Sequence, residues 1–148
     1  MDLDPLRTLE HVHGHLGWLG AALLVHPAIL LRDRKRRAHL AVGIATALVT
    51  VGAALGLWLY VGYREQLKRG IFQAAPAIGL LFERKEHLAF AAVMFAWTGC
   101  AAYFAASRAK DELRASLRTI AFRAFVGAAA LAILVAVLGT WVAIYKGF

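Results

Sequence analysis

AFVGAAALAILVAVLGTWVAIY, residues 124–145, contains no Asp, Glu, Lys or Arg. Roughly 20 helical residues at about 1.5 Å each cross a bilayer core of about 30 Å, so this run is long enough to span a membrane. Three further stretches without these charged residues occupy 11–31, 38–63 and 87–107. We therefore predict a single membrane domain over residues 1–148 with four transmembrane helices.

The composition favours a membrane class and argues against nucleic acid as a partner. The chain is 61% hydrophobic and 18% charged, whereas about a quarter of a soluble domain is charged. The net charge is +8, but the basic residues lie at the ends of the apolar runs, as in other membrane proteins. The acidic start, MDLDPLRTLE, lacks the basic beginning of a cleaved signal peptide.

Small residues recur at helical spacing in three of the predicted spans. These rows are Gly52 and Gly56, then Ala92, Ala96 and Cys100, then Ala128, Ala132 and Ala136. Positions four apart share a helix face, and small residues allow helices to approach closely in lipid. We predict an all-α fold, an integral membrane antiparallel four-helix bundle. The same faces could serve packing within one bundle or between two copies in a homodimer.

The distribution of basic residues predicts the orientation. The connections 32–37 and 108–123 lie on one side of the predicted bundle and hold five Lys and Arg each, hence ten of the 17. The positive-inside rule places that side in the cytoplasm and both termini outside it. We expect a bacterial-type inner (cell) membrane, with the lipid bilayer as the first partner.

The connection between the second and third spans contains an apolar segment, residues 70–82 (GIFQAAPAIGLLF). It is too short to cross a membrane, and Gly70, Pro76 and Gly79 interrupt it. We predict that it lies at the membrane interface or re-enters the bilayer, either as a flap or as a lid over a site.

Six histidines lie within or at the edges of the spans, where ionisable residues tend to face the interior or a site. His11 and His15 are four residues apart, and His26 follows His15 by eleven residues, about 20° beyond three full turns. These three share a stripe, which we expect to face inward with nitrogen ligands at two depths. His13 points to nearly the opposite side, and we interpret it as a structural residue.

Two later histidines follow basic clusters, His39 in RRAHLAV and His87 in RKEHLAF. Because their helices enter from opposite sides, we expect His87 near the depth of His11 and His15, and His39 nearer that of His26. The outer pair is the stronger prediction. In a tight hairpin His26 would face a residue near position 42, about 6 Å from the depth of His39.

Such pairs suit a b-type haem, whose iron takes two histidine ligands. The predicted metal ligands are His15 with His87 and His26 with His39. A haem also needs cations for its propionates at the membrane edge. Arg84 on the outer side and Arg36 on the inner side are suitable. One haem or two could be bound, and two would form an electron path across the bilayer.

Simpler interpretations of the same histidines stay open. His26 could bond a carbonyl freed by the helix kink at Pro27. His39 and His87 could be interfacial histidines beside basic clusters.

The layout of histidines on helix 1 and on later helices near opposite faces resembles the small four-helix b-type membrane cytochromes. The resemblance covers residues 11–107. It implies haem b, bis-histidine ligation, and electron transfer with quinones or a partner redox subunit. The implied ligands are His11 or His15 with His87, and His26 with His39.

Two other functions compete with this one. A histidine shortly before a tryptophan in helix 1 (His13 or His15, then Trp18) is similar to the four-helix membrane protoporphyrinogen oxidases, which implies an enzyme acting on a porphyrin or quinol. The other alternative is a non-haem assembly factor or transport subunit, although the spans offer no internal Asp, Glu or Lys for an ion path. No hydrolase triad or phosphate loop is present, so we predict no catalytic residue.

Overall fold

The computed structural model describes residues 5–33, 37–66 and 68–146, and this part of the chain is almost entirely helical. Its helices are α1 (Pro5–Arg32), α2 (His39–Gln66), α3 (Lys68–Ala74), α4 (Pro76–Arg108) and α5 (Asp111–Lys146). All except α3 are long and apolar enough to cross a membrane. The predicted all-α architecture with four spans is confirmed.

The four long helices form an antiparallel bundle in which α1 and α4 are diagonal. Helix α1 packs against α2 and α5, and α4 packs against the same two helices. One end of the bundle carries α3 and both ends of the described chain, and we call it the α3 end. The other carries the α1–α2 and α4–α5 connections, and we call it the hairpin end.

Alanines fill the centre of the bundle. Ala92 and Ala96 of α4 and Ala128 and Ala132 of α5 are buried in one continuous core. Phe125 is the largest α5 side chain in this core, and it is fully buried. A Cβ built on Gly99 would lie 2.8 Å from the Phe125 ring, so the ring occupies space that only glycine leaves free. The rows of small residues read from the sequence therefore serve packing within this bundle.

Helices α4 and α5 extend beyond the spans expected at 87–107 and 124–145. At 1.5 Å per residue they are roughly 50 and 54 Å long, well over the thickness of a bilayer core. Tyr103 marks the level of the α1–α2 connection, because its hydroxyl accepts the backbone N–H of Ala38 at 2.7 Å. Arg118 covers the same ring at 4.9 Å. The α4–α5 hairpin therefore projects past the rest of the bundle.

The apolar segment 70–82 belongs to two helices. Its first part lies in α3, and α4 begins at Pro76. Proline is well suited to the first turn of a helix, where its missing N–H costs nothing. The backbone N–H of Ala75 bonds the carbonyl of Ile71 at 2.8 Å, which closes the turn between the helices. Helix α3 packs against α4 and, to a smaller extent, against α2.

Candidate functional site

Three of the predicted ligands lie on one exposed stripe of α1. His11, His15 and His26 are all exposed in the chain and share a helix face, as their spacing requires. The buried face of α1 carries residues such as Leu24, which packs into the core. The stripe therefore faces away from the bundle interior, whereas we expected it to face inward.

His87 is exposed on α4 and holds a defined tautomer. Its Nδ1–H donates to the carbonyl oxygen of Glu83 at 2.8 Å. Because a carbonyl only accepts, the neutral ring carries its proton on Nδ1 and keeps the lone pair of Nε2 for a metal or a donor. Arg84, a predicted propionate partner, is exposed beside it.

The packing register fixes the depths of these residues. His13 of α1 lies against Gly56 of α2, and Gly20 lies against Val49. These facing pairs define the antiparallel register of the two helices. Two side-chain hydrogen bonds, from Tyr60 to Glu83 and from Trp97 to Thr50, define the register of α2 and α4 in the same way. His87 thereby lies near the depth of Gly56, and so of His11 and His13.

The depths of His26 and His39, the predicted inner ligands, agree less well. The same register places His26 level with Gly43, about four residues and 6 Å from His39. His39 is exposed, with its ring edge-on to Tyr103 at a centroid distance of 5.3 Å. Arg36 lies outside the described residues.

A haem does not fit inside this bundle. The core between the helices is closed by alanines, and Ala96 and Ala128 have no exposed surface at all. The candidate ligands His15 and His87 are on the outside of diagonal helices. Among the described residues no three His, Cys, Asp or Glu side chains come together as a metal site. The donor chemistry of the histidines suits haem iron, but only at the bundle surface.

His13 is the histidine that faces the interior. Its Nδ1–H donates to the carbonyl oxygen of Gly52 at 3.1 Å. A Cβ built on Gly56 would lie only 2.7 Å from the Cε1 atom of His13, so this ring packs directly on the α2 backbone. The two glycines of α2 therefore form a seat for an imidazole from α1.

Charged groups surround this imidazole at the α3 end. Lys85 of α4 is only 8% exposed, and its Nζ pairs with Glu86 Oε1 at 2.7 Å. The same ammonium lies 4.7 Å from the centre of the Phe82 ring. Lys85, Glu86 and Glu10 are all close enough to His13 to interact with it electrostatically. The arrangement gathers a base, an ammonium and a carboxylate around a partly buried position.

A second ion pair extends this cluster toward α3. Lys68 Nζ lies 2.7 Å from Glu83 Oε1, and the Tyr60 hydroxyl donates to the same carboxylate at 3.3 Å. The hydrogen bond to Glu83 raises the pKa of Lys68 above its ordinary value. The rings of Tyr63 and Phe82 stack beneath, with centroids 4.0 Å apart. We call the set of His13, Lys85, Glu86, Lys68, Glu83 and Tyr60 the polar cluster.

The sequence contained signals for part of the polar cluster. Gly52 and Gly56 lie four apart on α2, at the depth at which a hairpin places His13. Lys85 gave no such signal, because it lies two residues before the charge-free stretch 87–107 and resembles an ordinary interfacial cation. Only the continuation of α4 back to Pro76 turns it into a residue within a helix.

No protein-family model, curated protein or solved structure matches this chain.

Proposed function

We propose that this chain is a membrane subunit of a redox complex that supplies histidine ligands to a b-type haem held between itself and a second membrane chain. The observation that carries the proposal is the exposed stripe of three histidines along an apolar span of α1. A haem iron with two histidine ligands supplies one-electron transfer.

The position of the stripe in the bilayer supports this proposal. His15 is about 10 Å inside the span from Thr8, and His26 is about 9 Å inside from Arg32. An imidazole turned toward lipid hydrocarbon at these depths leaves its polar nitrogens without partners, which is costly. A haem and a partner chain, either a redox protein or a second copy, would satisfy them.

His87 is a further candidate ligand, for a haem on a different side of the bundle from the α1 stripe. It lies at the depth of His11, and its Nδ1–H is already bonded to a carbonyl. This hydrogen bond orients the imidazole for ligation through Nε2. The haem count of one or two and a quinone as electron donor or acceptor are part of the same proposal. Both termini lie outside the cytoplasm of a bacterial-type cell in this scheme, because basic residues concentrate at the hairpin end.

The decisive experiment is a reduced-minus-oxidised spectrum of the protein purified in mild detergent with its native membrane partners. We expect a b-type Soret and α-band signal. It should fall by at least half in His15→Ala or His26→Ala and persist in Ile29→Ala, a control on the same exposed side of α1. A colourless preparation that stays colourless after haemin addition would end the proposal.

A second candidate is an oxidoreductase of the porphyrin-oxidase type acting on a porphyrin or quinol. The polar cluster favours it, since titratable groups gathered at a partly buried position are typical of reaction sites. The test is turnover of protoporphyrinogen or quinol by the purified protein. It should be lost in Lys85→Met and kept in Arg84→Met, while a preparation with haem signal but no turnover would exclude this candidate.

A further inference from the structure

The junction of α2 and α3 forms a recess of about 410 Å³ that opens at the surface. Arg64 from the last turn of α2 lines it, together with Lys68, Arg69 and Phe72 of α3. It is a shallow, open surface and not an enclosed pocket. It does not overlap the exposed stripe of α1.

The charges of this recess are not balanced. Lys68 is neutralised by Glu83 at 2.7 Å. Within the described part of the chain, no carboxylate pairs with Arg64 or with Arg69. Arg64 is also near enough to Lys68 to repel it electrostatically. Like charges held this close around a hollow are relieved by an anion, and guanidinium groups bind phosphate oxygens well.

The recess has a fixed apolar wall. A Cβ built on Gly79 would lie 2.7 Å from two carbons of the Phe72 ring, so this ring rests directly on the α4 backbone. Lys68 Nζ lies 5.8 Å from the centre of the same ring. With Lys68 also bonded to Glu83, α3 is anchored to α4 from two sides. Helix α3, which carries Lys68 and Arg69, is therefore held in place on α4.

The setting of the recess identifies the ligand class. It lies at the end of two membrane-spanning helices, next to Tyr60 and Tyr63, and aromatic residues concentrate at the level of lipid headgroups. Guanidinium groups at that level can reach the phosphate of a lipid headgroup and bind its oxygens. We propose that Arg64 and Arg69, with Lys68 beside them, bind the phosphate of one anionic phospholipid, whose glycerol region contacts Phe72.

The test measures lipid retention. The protein is incorporated into nanodiscs of phosphatidylcholine containing a minor fraction of phosphatidylglycerol, released into detergent, and analysed by native mass spectrometry. We expect one phosphatidylglycerol to remain bound in preference to phosphatidylcholine. Arg64→Gln/Arg69→Gln should weaken retention roughly 30-fold, since each basic residue at such a surface is worth about fivefold.

Three comparisons make the result specific. Arg64→Lys/Arg69→Lys keeps the charge and should keep most of the binding, and thermal unfolding of each variant verifies the fold. Arg108→Gln/Lys110→Gln removes two exposed cations at the hairpin end and should change nothing. Added inorganic phosphate should displace little lipid, because it lacks the contact with Phe72.

Each opposite result overturns the proposal. Equal retention of both lipids, or an equal loss in the hairpin-end control, would mean that the basic residues attract lipid only through general membrane electrostatics. Complete displacement by inorganic phosphate would assign the recess to a soluble anion. The lipid readout does not depend on haem, so its failure and failure of the redox proposal are separate events.

Discussion

The middle of the bundle and its α3 end are held together by different kinds of contact. In the middle, α4 and α5 meet largely through alanines around the buried ring of Phe125, and the described core there contains no charged side chain. At the α3 end, the helices meet through the Lys68–Glu83 ion pair, an imidazole seated on a glycine, and stacked aromatic rings, and a second ion pair lies within α4.

The difference shows how each region obtains its stability. Lipid is as apolar as an alanine core, so the middle is held by close packing and not by exclusion of water. The α3 end can use hydrogen bonds and charges because it reaches the membrane edge. Substitutions in the middle should therefore change stability without disturbing the polar cluster, and substitutions in the polar cluster should cost less stability.

The largest effect should come from emptying the core. Phe125→Ala removes a fully buried ring that fills the space beside Gly99. We expect a loss of roughly 2–4 kcal/mol in the free energy of unfolding, mainly from the cavity. Denaturant unfolding in detergent micelles measures it. The adjacent Val126→Ala, which is 44% exposed, should cost far less; similar losses would contradict the packing described here.

A smaller loss is expected from Lys85→Met at the α3 end. The substitution keeps the length of the side chain but leaves the carboxylate of Glu86 without its cation. We expect roughly 1–3 kcal/mol of destabilisation, because an unpaired, partly buried charge costs more than the pair contributes. Adding Glu86→Gln should recover part of the loss in the same unfolding assay. No recovery in the double variant would mean that Lys85 acts through its contact with Phe82 alone.

The seat of His13 predicts opposite signs for two glycine substitutions on α2. Gly56→Ala places a methyl 2.7 Å from the imidazole and should cost about 1–2 kcal/mol. Gly62→Ala meets nothing within 4 Å and should stabilise the helix by about 0.5–1 kcal/mol. Thermal unfolding of the two variants checks the signs. Stabilisation by Gly56→Ala would show that His13 is not seated there.

The smallest effect concerns pH. The Glu83 hydrogen bond raises the pKa of Lys68 above its ordinary value of 10.5. A raised pKa means that the folded state holds this proton more tightly. As long as Glu83 is ionised, the ion pair therefore stabilises fully below pH 10.5 and loses its effect as pH rises through the folded-state pKa of Lys68. The difference in melting temperature between the wild type and Lys68→Met should shrink over that range. A difference in melting temperature that stays constant with pH would contradict the Lys68–Glu83 ion pair.

Much of the fold was predictable because the bilayer imposes it. Stretches without charge had to become spanning helices, and all four did. The ends of α4 and α5 were harder to predict. Charged residues such as Arg114 and Arg118 indicated a connection, but a helix accommodates both, since Arg114 is exposed and Arg118 lies over the Tyr103 ring of α4. The polar cluster was predictable only in part, since Lys85 becomes buried through packing against α5 near Gly139.

The sequence alone determined four spans, a helical hairpin pattern, and the alignment of His11, His15 and His26 along one face, because helical periodicity and the thickness of a membrane leave little choice. Only the tertiary structure decided which way that face points. Hydropathy separates inside from outside when water surrounds a protein, but in lipid both sides are apolar. The side of α1 that packs is therefore chosen by shape, and it is the side that carries Ala21, Leu24 and Ala28.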